Sequence, residues 1–129
     1  MAGHLPDLLG GARVAAVAVA VEALGQLLIW GAPGALLACV GAALTGAGYA
    51  LAFQGFGVES VRRAPPQSRG AAMGGYVVFQ DFSMALAGPL GGWLAVHSGL
   101  GAVFLAGAAA ALASAALAVW MVRTPVTTV

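Results

Sequence analysis

The stretch Glu59-Ser60-Val61-Arg62-Arg63-Ala64-Pro65-Pro66-Gln67-Ser68-Arg69 is the one strongly polar segment in the interior of this chain, and its position decides how the rest is read. An apolar run from Ala35 to about Gly57 precedes it, and another from Gly70 to Val96 follows it. Further out lie the runs Ala12 to Trp30 and Leu100 to Val122, set off by the turn-forming segments Gly31-Ala-Pro-Gly34 and His97-Ser-Gly99. Each run reaches the ~20 apolar residues that a helix needs to cross a bilayer. The expected fold is all-α: an integral membrane protein of four transmembrane helices at about 12–30, 35–57, 70–96 and 100–122, forming one membrane domain over 1–129 with a cytoplasmic loop at 58–69.

Composition points the same way. The chain has 129 residues, of which 61% are hydrophobic and 7% charged, with 20 glycines and no lysine or asparagine. A soluble domain carries about 25% charged residues, so nine charged side chains cannot make a water-facing surface, and a soluble enzyme is excluded. A single Cys39 leaves no disulfide framework or cysteine metal cluster. A net charge of +1 gives no basis for nucleic-acid binding. No phosphate loop, nucleophile triad or metal-ligand spacing occurs, so no cofactor or metal is expected.

The arginines set the orientation. With four spans, the N-terminus, the 58–69 loop and the C-terminus share one side, and Arg13, Arg62, Arg63, Arg69 and Arg123 all fall there. The positive-inside rule makes that side cytoplasmic. A multi-pass protein of the bacterial inner membrane with both termini cytoplasmic is expected. Glu22 within the first run argues against reading that run as a cleaved signal peptide. Trp30, Trp93 and Trp120 stand toward span ends as interfacial anchors, and His4 and His97 carry no evident chemistry.

Small residues recur at four-residue spacing: Gly70 and Gly74, Gly88 and Gly92, and Ala106, Ala110, Ser114 and Ala118. Such stripes let helix backbones approach closely in lipid, so these faces are expected to pack on other helices. Two acids lie inside apolar runs. A carboxylate at the centre of a span costs about 2.5–3.5 kcal/mol on insertion scales, so Glu22 and Asp81 must face protein or water. Gln26 stands one turn beyond Glu22 on the same face. Asp81 shares a stripe with Gly74 and Gly88, and Gly88-Pro89 is expected to break or kink the third helix just beyond it. Asp81, Glu22 and Gln26 are therefore the candidates for a substrate or proton pathway; for each the competing role is a hydrogen-bonded contact between helices. Glu59, Arg62, Arg63 and Arg69 are expected to form an ion-pair cluster and topology anchor in the loop.

The lead Gly3-His-Leu-Pro-Asp7-Leu-Leu-Gly10-Gly-Ala-Arg13 resembles the Gly-x-x-x-Asp-(Arg/Lys)-x-Gly-x-(Arg/Lys) cytoplasmic loop motif of the major facilitator superfamily. Gly3, Asp7 and Gly10 match; Leu8 stands where the motif has a basic residue, and Arg13 falls one or two places late. The order Gly48-Tyr-Ala-Leu-Ala-Phe, Gly57-Val-Glu59 to Gly74, Phe79-Gln-Asp81 and Gly88-Pro-Leu-Gly-Gly92 is similar to helices ten and eleven of a bacterial arabinose-efflux-type branch. The resemblance covers nearly the whole chain. It implies helices nine to twelve of a twelve-helix secondary transporter, with Met1 inside the loop between helices eight and nine. It also implies a substrate site at the interface of two six-helix halves.

On that reading the chain is a fragment of an efflux transporter that does not transport alone. Its partners are the lipid bilayer, the missing N-terminal helices and a small-molecule substrate. The alternative is an autonomous four-helix exporter of the small multidrug-resistance kind, working as a dimer through the single Glu22 of its first span. A non-transporting membrane partner or assembly factor has nothing positive in its favour.

Overall fold

The computed structural model describes residues 10–124 as four long helices. They are α1 (Gly11–Trp30), α2 (Ala35–Arg63), α3 (Arg69–Ser98) and α4 (Leu100–Arg123), with a single 3₁₀ turn at Pro66–Ser68 between α2 and α3. No strand is present among the described residues. The short connections make sequential helices antiparallel. The start of α1, the end of α2, the start of α3 and the end of α4 thus lie at one end of the bundle, and that end holds all five arginines.

Three of the helices, α1, α2 and α4, are long and apolar enough to cross a membrane; α3 has the length, but its glycines and polar residues lower its hydropathy. The turn at 31–34 falls where Gly and Pro predicted it. The link from α3 to α4 is the single residue Gly99, whose φ of 83° and ψ of 161° belong to a region open essentially to glycine alone.

The expected loop at 58–69 is shorter than the sequence implied. Helix α2 continues through Glu59, Arg62 and Arg63, and only residues 64–68 lie outside a long helix. The physical reason is that charge marks where a helix leaves the hydrocarbon, whereas proline marks where it ends. Ala64, which precedes Pro65, is forced into extended backbone (φ −85°, ψ 145°) and stops the helix there. At ~1.5 Å per residue the 29 residues of α2 span roughly 43 Å, longer than a hydrocarbon core about 30 Å thick.

Helix α1 is the centre of the molecule, packed against α2 on one side and α4 on another, with Gly11, Ala12, Val14, Ala15, Ala18, Val19, Ala23 and Gly25 buried. The α1–α2 seam is built from backbone. Gly11, Ala18 and Gly25, spaced seven apart, run antiparallel to Gly55, Gly48 and Gly41, also spaced seven apart. A Cβ on Gly48 would stand 2.6 Å from the Ala18 carbonyl oxygen, and one on Gly25 would stand 2.6 Å from that of Gly41. Gly11 and Gly55 meet in the same way. A seven-residue repeat keeps such a seam facing its partner along the length of both helices. Because apolar side chains gain little from one another in lipid, this close approach and the dispersion contacts it permits are what hold the pair.

Of the small-residue stripes expected from four-residue spacing, those on α3 meet no helix of this segment, and the one on α4 is buried only at Ala118. Cβ atoms on Gly70, Gly74, Gly88 and Gly92 would meet nothing within 4 Å, so that face of α3 packs on nothing among the described residues. On α4 the buried residues are Ala108, Ala111 and Ala118; Ala106 and Ala110 are exposed and Ser114 is half-buried. In a helix this rich in Ala and Gly every face offers four-residue matches, and the neighbour chooses among them.

Helix α3 is continuous through Gly88-Pro89, so the expected break does not divide it, and Gly88 is exposed. Proline removes one backbone donor there, and the remaining i→i−4 bonds carry the helix on either side.

Candidate functional site

Three groups of side chains carry polar chemistry, and the sequence reading named the residues of two of them. At the arginine end, Glu59 is fully buried, at 0% exposure. Arg63 Nε donates to its Oε1 at 2.7 Å, and Arg62 Nη2 lies 3.0 Å from its Oε2. A buried carboxylate must be paired, and these contacts supply the pairing. Gly11 lets α1 close over Glu59, since a Cβ there would lie 3.0 Å from the Glu59 nitrogen. Arg63 reaches further: its Nη2 donates to the carbonyls of Met121 at 2.8 Å and Thr124 at 3.1 Å. Those groups end α4 and have no partner within the helix, so a cation there satisfies both geometry and helix dipole.

The expected cluster of Glu59, Arg62, Arg63 and Arg69 is thus formed by the first three, on the last turn of α2 rather than in a loop. Arg69, exposed at the start of α3, makes no ion pair among the described residues. Of the loop motif, Gly3 and Asp7 lie outside the described residues. Gly10 precedes α1 with φ 86°, which favours glycine, and it faces Arg62. Arg13 is exposed, two residues into α1, at the edge of an apolar groove lined by Val14, Val17, Val21 and Leu51.

Within the bundle, Glu22 and Gln26 stand together on α1, Gln26 Nε2 donating to Glu22 Oε1 at 3.5 Å. Both are half-buried. Gly48 of α2 packs on Glu22, with a Cβ there falling 2.8 Å from that of Glu22. The Gln26 amide occupies the space where a Cβ on Gly107 of α4 would lie. The pair therefore sits in the contact of three helices. Asp81 is elsewhere. It is exposed on α3 and makes no hydrogen bond or ion pair among the described residues, so the structure does not bring the two acids to one site.

The group that sequence reasoning missed lies between α2 and α3. Gln80 Nε2 donates to the Tyr49 hydroxyl at 2.8 Å, and Tyr76 donates its hydroxyl to the Phe53 carbonyl at 2.9 Å. The rings form a row, with centroids 6.4 Å apart for Tyr49 and Phe53 and 5.3 Å apart for Phe53 and Tyr76. The Tyr49 hydroxyl also meets Met84 Sδ at 4.0 Å. Tyr49 and Phe53 are four apart on α2, and Tyr76, Gln80 and Met84 are spaced by four on α3. That spacing was available as a sign of two matched faces, but nothing in the sequence says which faces meet.

Four helices in these antiparallel contacts, with two carboxylates in their interior portions and a cationic end, make a segment of an α-helical membrane protein. The sequence matches the family model of the Major Facilitator Superfamily over residues 1–129. It is 47% identical over 115 residues to an MFS-type transporter of Pseudomonas aeruginosa (strain LESB58), covering 89% of this chain and 29% of that protein. It is 52% identical over 108 residues to MFS-type transporters of Burkholderia mallei (strain SAVP1) and Burkholderia pseudomallei (strain 668), covering 84% of this chain and 26% of each. No solved structure matches. The chain belongs to the major facilitator superfamily, with a partial form of that membrane fold. It spans less than a third of the length of these relatives. The small multidrug-resistance alternative is not favoured by these matches.

Proposed function

We propose that this segment serves as helices nine to twelve of a secondary active transporter of the efflux type in the bacterial inner membrane, and that it does not transport alone. The observation that carries the reading is the state of α3. It buries no residue, and its surface presents Val78, Phe79, Phe82, Met84, Leu90 and Trp93 together with the carboxylate of Asp81. Apolar side chains can face lipid, but a carboxylate in mid-span cannot do so cheaply, at about 2.5–3.5 kcal/mol. The side of α3 that carries Asp81 therefore borders further transporter helices or a hydrated pathway. That the chain matches 26–29% of its relatives' length supports the first, and the placement of a polar group toward the pathway supports the second. The arginine end supports a cytoplasmic assignment for both termini.

The test is flux. Everted vesicles from cells expressing the gene in its native reading frame are compared with vesicles expressing residues 1–129 alone. Substrate-dependent proton flux in the first and none in the second is expected. Equal flux from residues 1–129 overturns the dependence on further helices.

A further inference from the structure

We propose that α3 does not enter the membrane as an independent span: α4 carries it in, the two helices inserting as one hairpin closed by the single-residue link at Gly99.

The topology sets the demand. Helix α2 ends at the arginine end of the bundle and α4 starts at the opposite end, so α3 has to cross between them. Its composition makes that crossing expensive. Gln80 and Asp81 stand side by side near its middle, with Ser83 two residues further on. Six of its 30 residues are glycines, which bring no apolar side chain to the transfer. By length and composition α1, α2 and α4 qualify as spans and α3 does not.

Helix α4 is the opposite case. It is the most apolar of the three that qualify, with Ser114 its one hydroxyl and Arg123, in its last turn, its one charge. It also has a seat that does not involve α3. Its start packs on the end of α1, where a Cβ on Gly101 would stand 3.3 Å from Trp30 Cδ1. Its middle admits the Gln26 amide against Gly107, and its end is held by Arg63 through the carbonyls of Met121 and Thr124.

The polar partners of α3 become available only once it has crossed. The Gln80 amide donates to the Tyr49 hydroxyl, the Tyr76 hydroxyl donates to the Phe53 carbonyl, and a Cβ on Gly57 would stand 3.4 Å from Tyr76 Cε1. Polar contacts of this kind hold helices together within lipid. All three partners lie on α2 inside the span, so they retain α3 after entry and give an α3 still outside nothing to hold.

The link supplies the coupling. Helix α3 ends at Ser98 and α4 begins at Leu100, and Gly99 between them has φ 83° and ψ 161°, a region open essentially to glycine. Its backbone is fully used: the Gly99 nitrogen donates to the Ala95 carbonyl at 3.0 Å, and its carbonyl accepts from the Ala102 nitrogen at 3.1 Å. A reversal this tight leaves no unpaired backbone to be drawn through hydrocarbon. The turn at 97–99 also carries no arginine or acid. The favourable transfer of α4 is therefore shared with α3.

The experiment reads the pulling force on the nascent chain of the intact gene product as it enters inner-membrane vesicles, with a translational arrest peptide placed at increasing distances beyond α3. Release from arrest should stay near background while α3 alone has emerged, and rise roughly threefold or more in a single event once α4 follows. Gln80→Leu combined with Asp81→Leu should give α3 an event of its own before α4. Leu112→Asn combined with Leu117→Asn, at two positions of α4 exposed in this segment, should abolish the joint event. In the full-length protein, with Ser98→Cys as its single cysteine, that pair should also cut labelling at position 98 from the side opposite Gln67 by roughly fivefold or more. Adding Gln80→Leu and Asp81→Leu should restore the labelling. A wild-type α3 event as strong as that of α4, before α4 emerges, overturns the proposal. Unchanged labelling at position 98 when α4 is weakened overturns it as well.

Discussion

Arg63 ties the last turn of α2 to the last turn of α4, its Nη2 donating to the Met121 carbonyl at 2.8 Å while its Nε holds Glu59 at 2.7 Å. One guanidinium thus pairs a buried carboxylate and caps a helix 58 residues away in sequence. Lysine carries its three donors on one nitrogen, whereas arginine spreads Nε and Nη2 over a planar fork that reaches both acceptors.

Replacing Arg63 with alanine should therefore destabilise the bundle by about 1–3 kcal/mol, the cost of leaving a buried charged group short of a partner. Arg62, whose side chain is 52% exposed, compensates only in part. Arg63→Lys should recover less than half of the loss. Thermal unfolding in a fixed detergent measures both, and equal melting of wild type and Arg63→Ala is the outcome that counts against the tie.

The glycine seam makes a sharper contrast. Gly48→Ala places a methyl group 2.6 Å from the Ala18 carbonyl and the Glu22 nitrogen, both backbone atoms that cannot turn aside. Overpacking of this kind costs about 1–3 kcal/mol. At Gly46, two residues earlier, a Cβ meets nothing within 4 Å. Gly46→Ala should stabilise the helix by up to ~1 kcal/mol through propensity alone. Opposite signs for the two substitutions in one denaturation assay are expected; the same sign for both counts against the seam.

Much of this fold was legible before any coordinates. Four apolar runs, Gly-Pro at 31–34 and the position of the arginines gave the helix number and order. The seam was not legible, although its glycines are spaced seven apart, because 20 glycines and many alanines offer competing stripes and only the partner selects one. Among site residues, Glu59, Arg62 and Arg63 were legible because charge in an apolar chain is conspicuous. Tyr49, Phe53, Tyr76 and Gln80 were not, since aromatic and amide side chains in a span look like lipid contacts until a neighbour is brought to them.

Topology is tested by single cysteines at Gln67 and Ser98, both exposed, in a Cys39→Ala background. An impermeant thiol reagent applied to intact cells should label Ser98→Cys and spare Gln67→Cys, because the arginine end is expected to face the cytoplasm. The reverse pattern inverts the orientation.

The two interior acids should differ in function. Glu22→Gln keeps a hydrogen-bonding side chain beside Gln26, within a contact that already excludes lipid. Asp81→Asn removes the one charge on the open face of α3. In the intact transporter, substrate-driven proton flux normalised to protein level should fall at least tenfold for Asp81→Asn and by less than threefold for Glu22→Gln. A dead Glu22→Gln protein beside a normal Asp81→Asn protein would move the pathway to α1.

The bundle is joined in two mechanically different ways. Between α1 and α2 the closest contacts are backbone on backbone, which no change of rotamer can relieve, so that joint resists shear. Helix α3 is held mainly by side chains: the Tyr76–Gln80 row against α2 near its start, and Gly91 against Val103 of α4 toward its far end. Torsions at a few side chains let such a joint tilt without opening the glycine seam. Of the joints in this segment, the one between α3 and its neighbours is therefore expected to yield first and the glycine seam between α1 and α2 last.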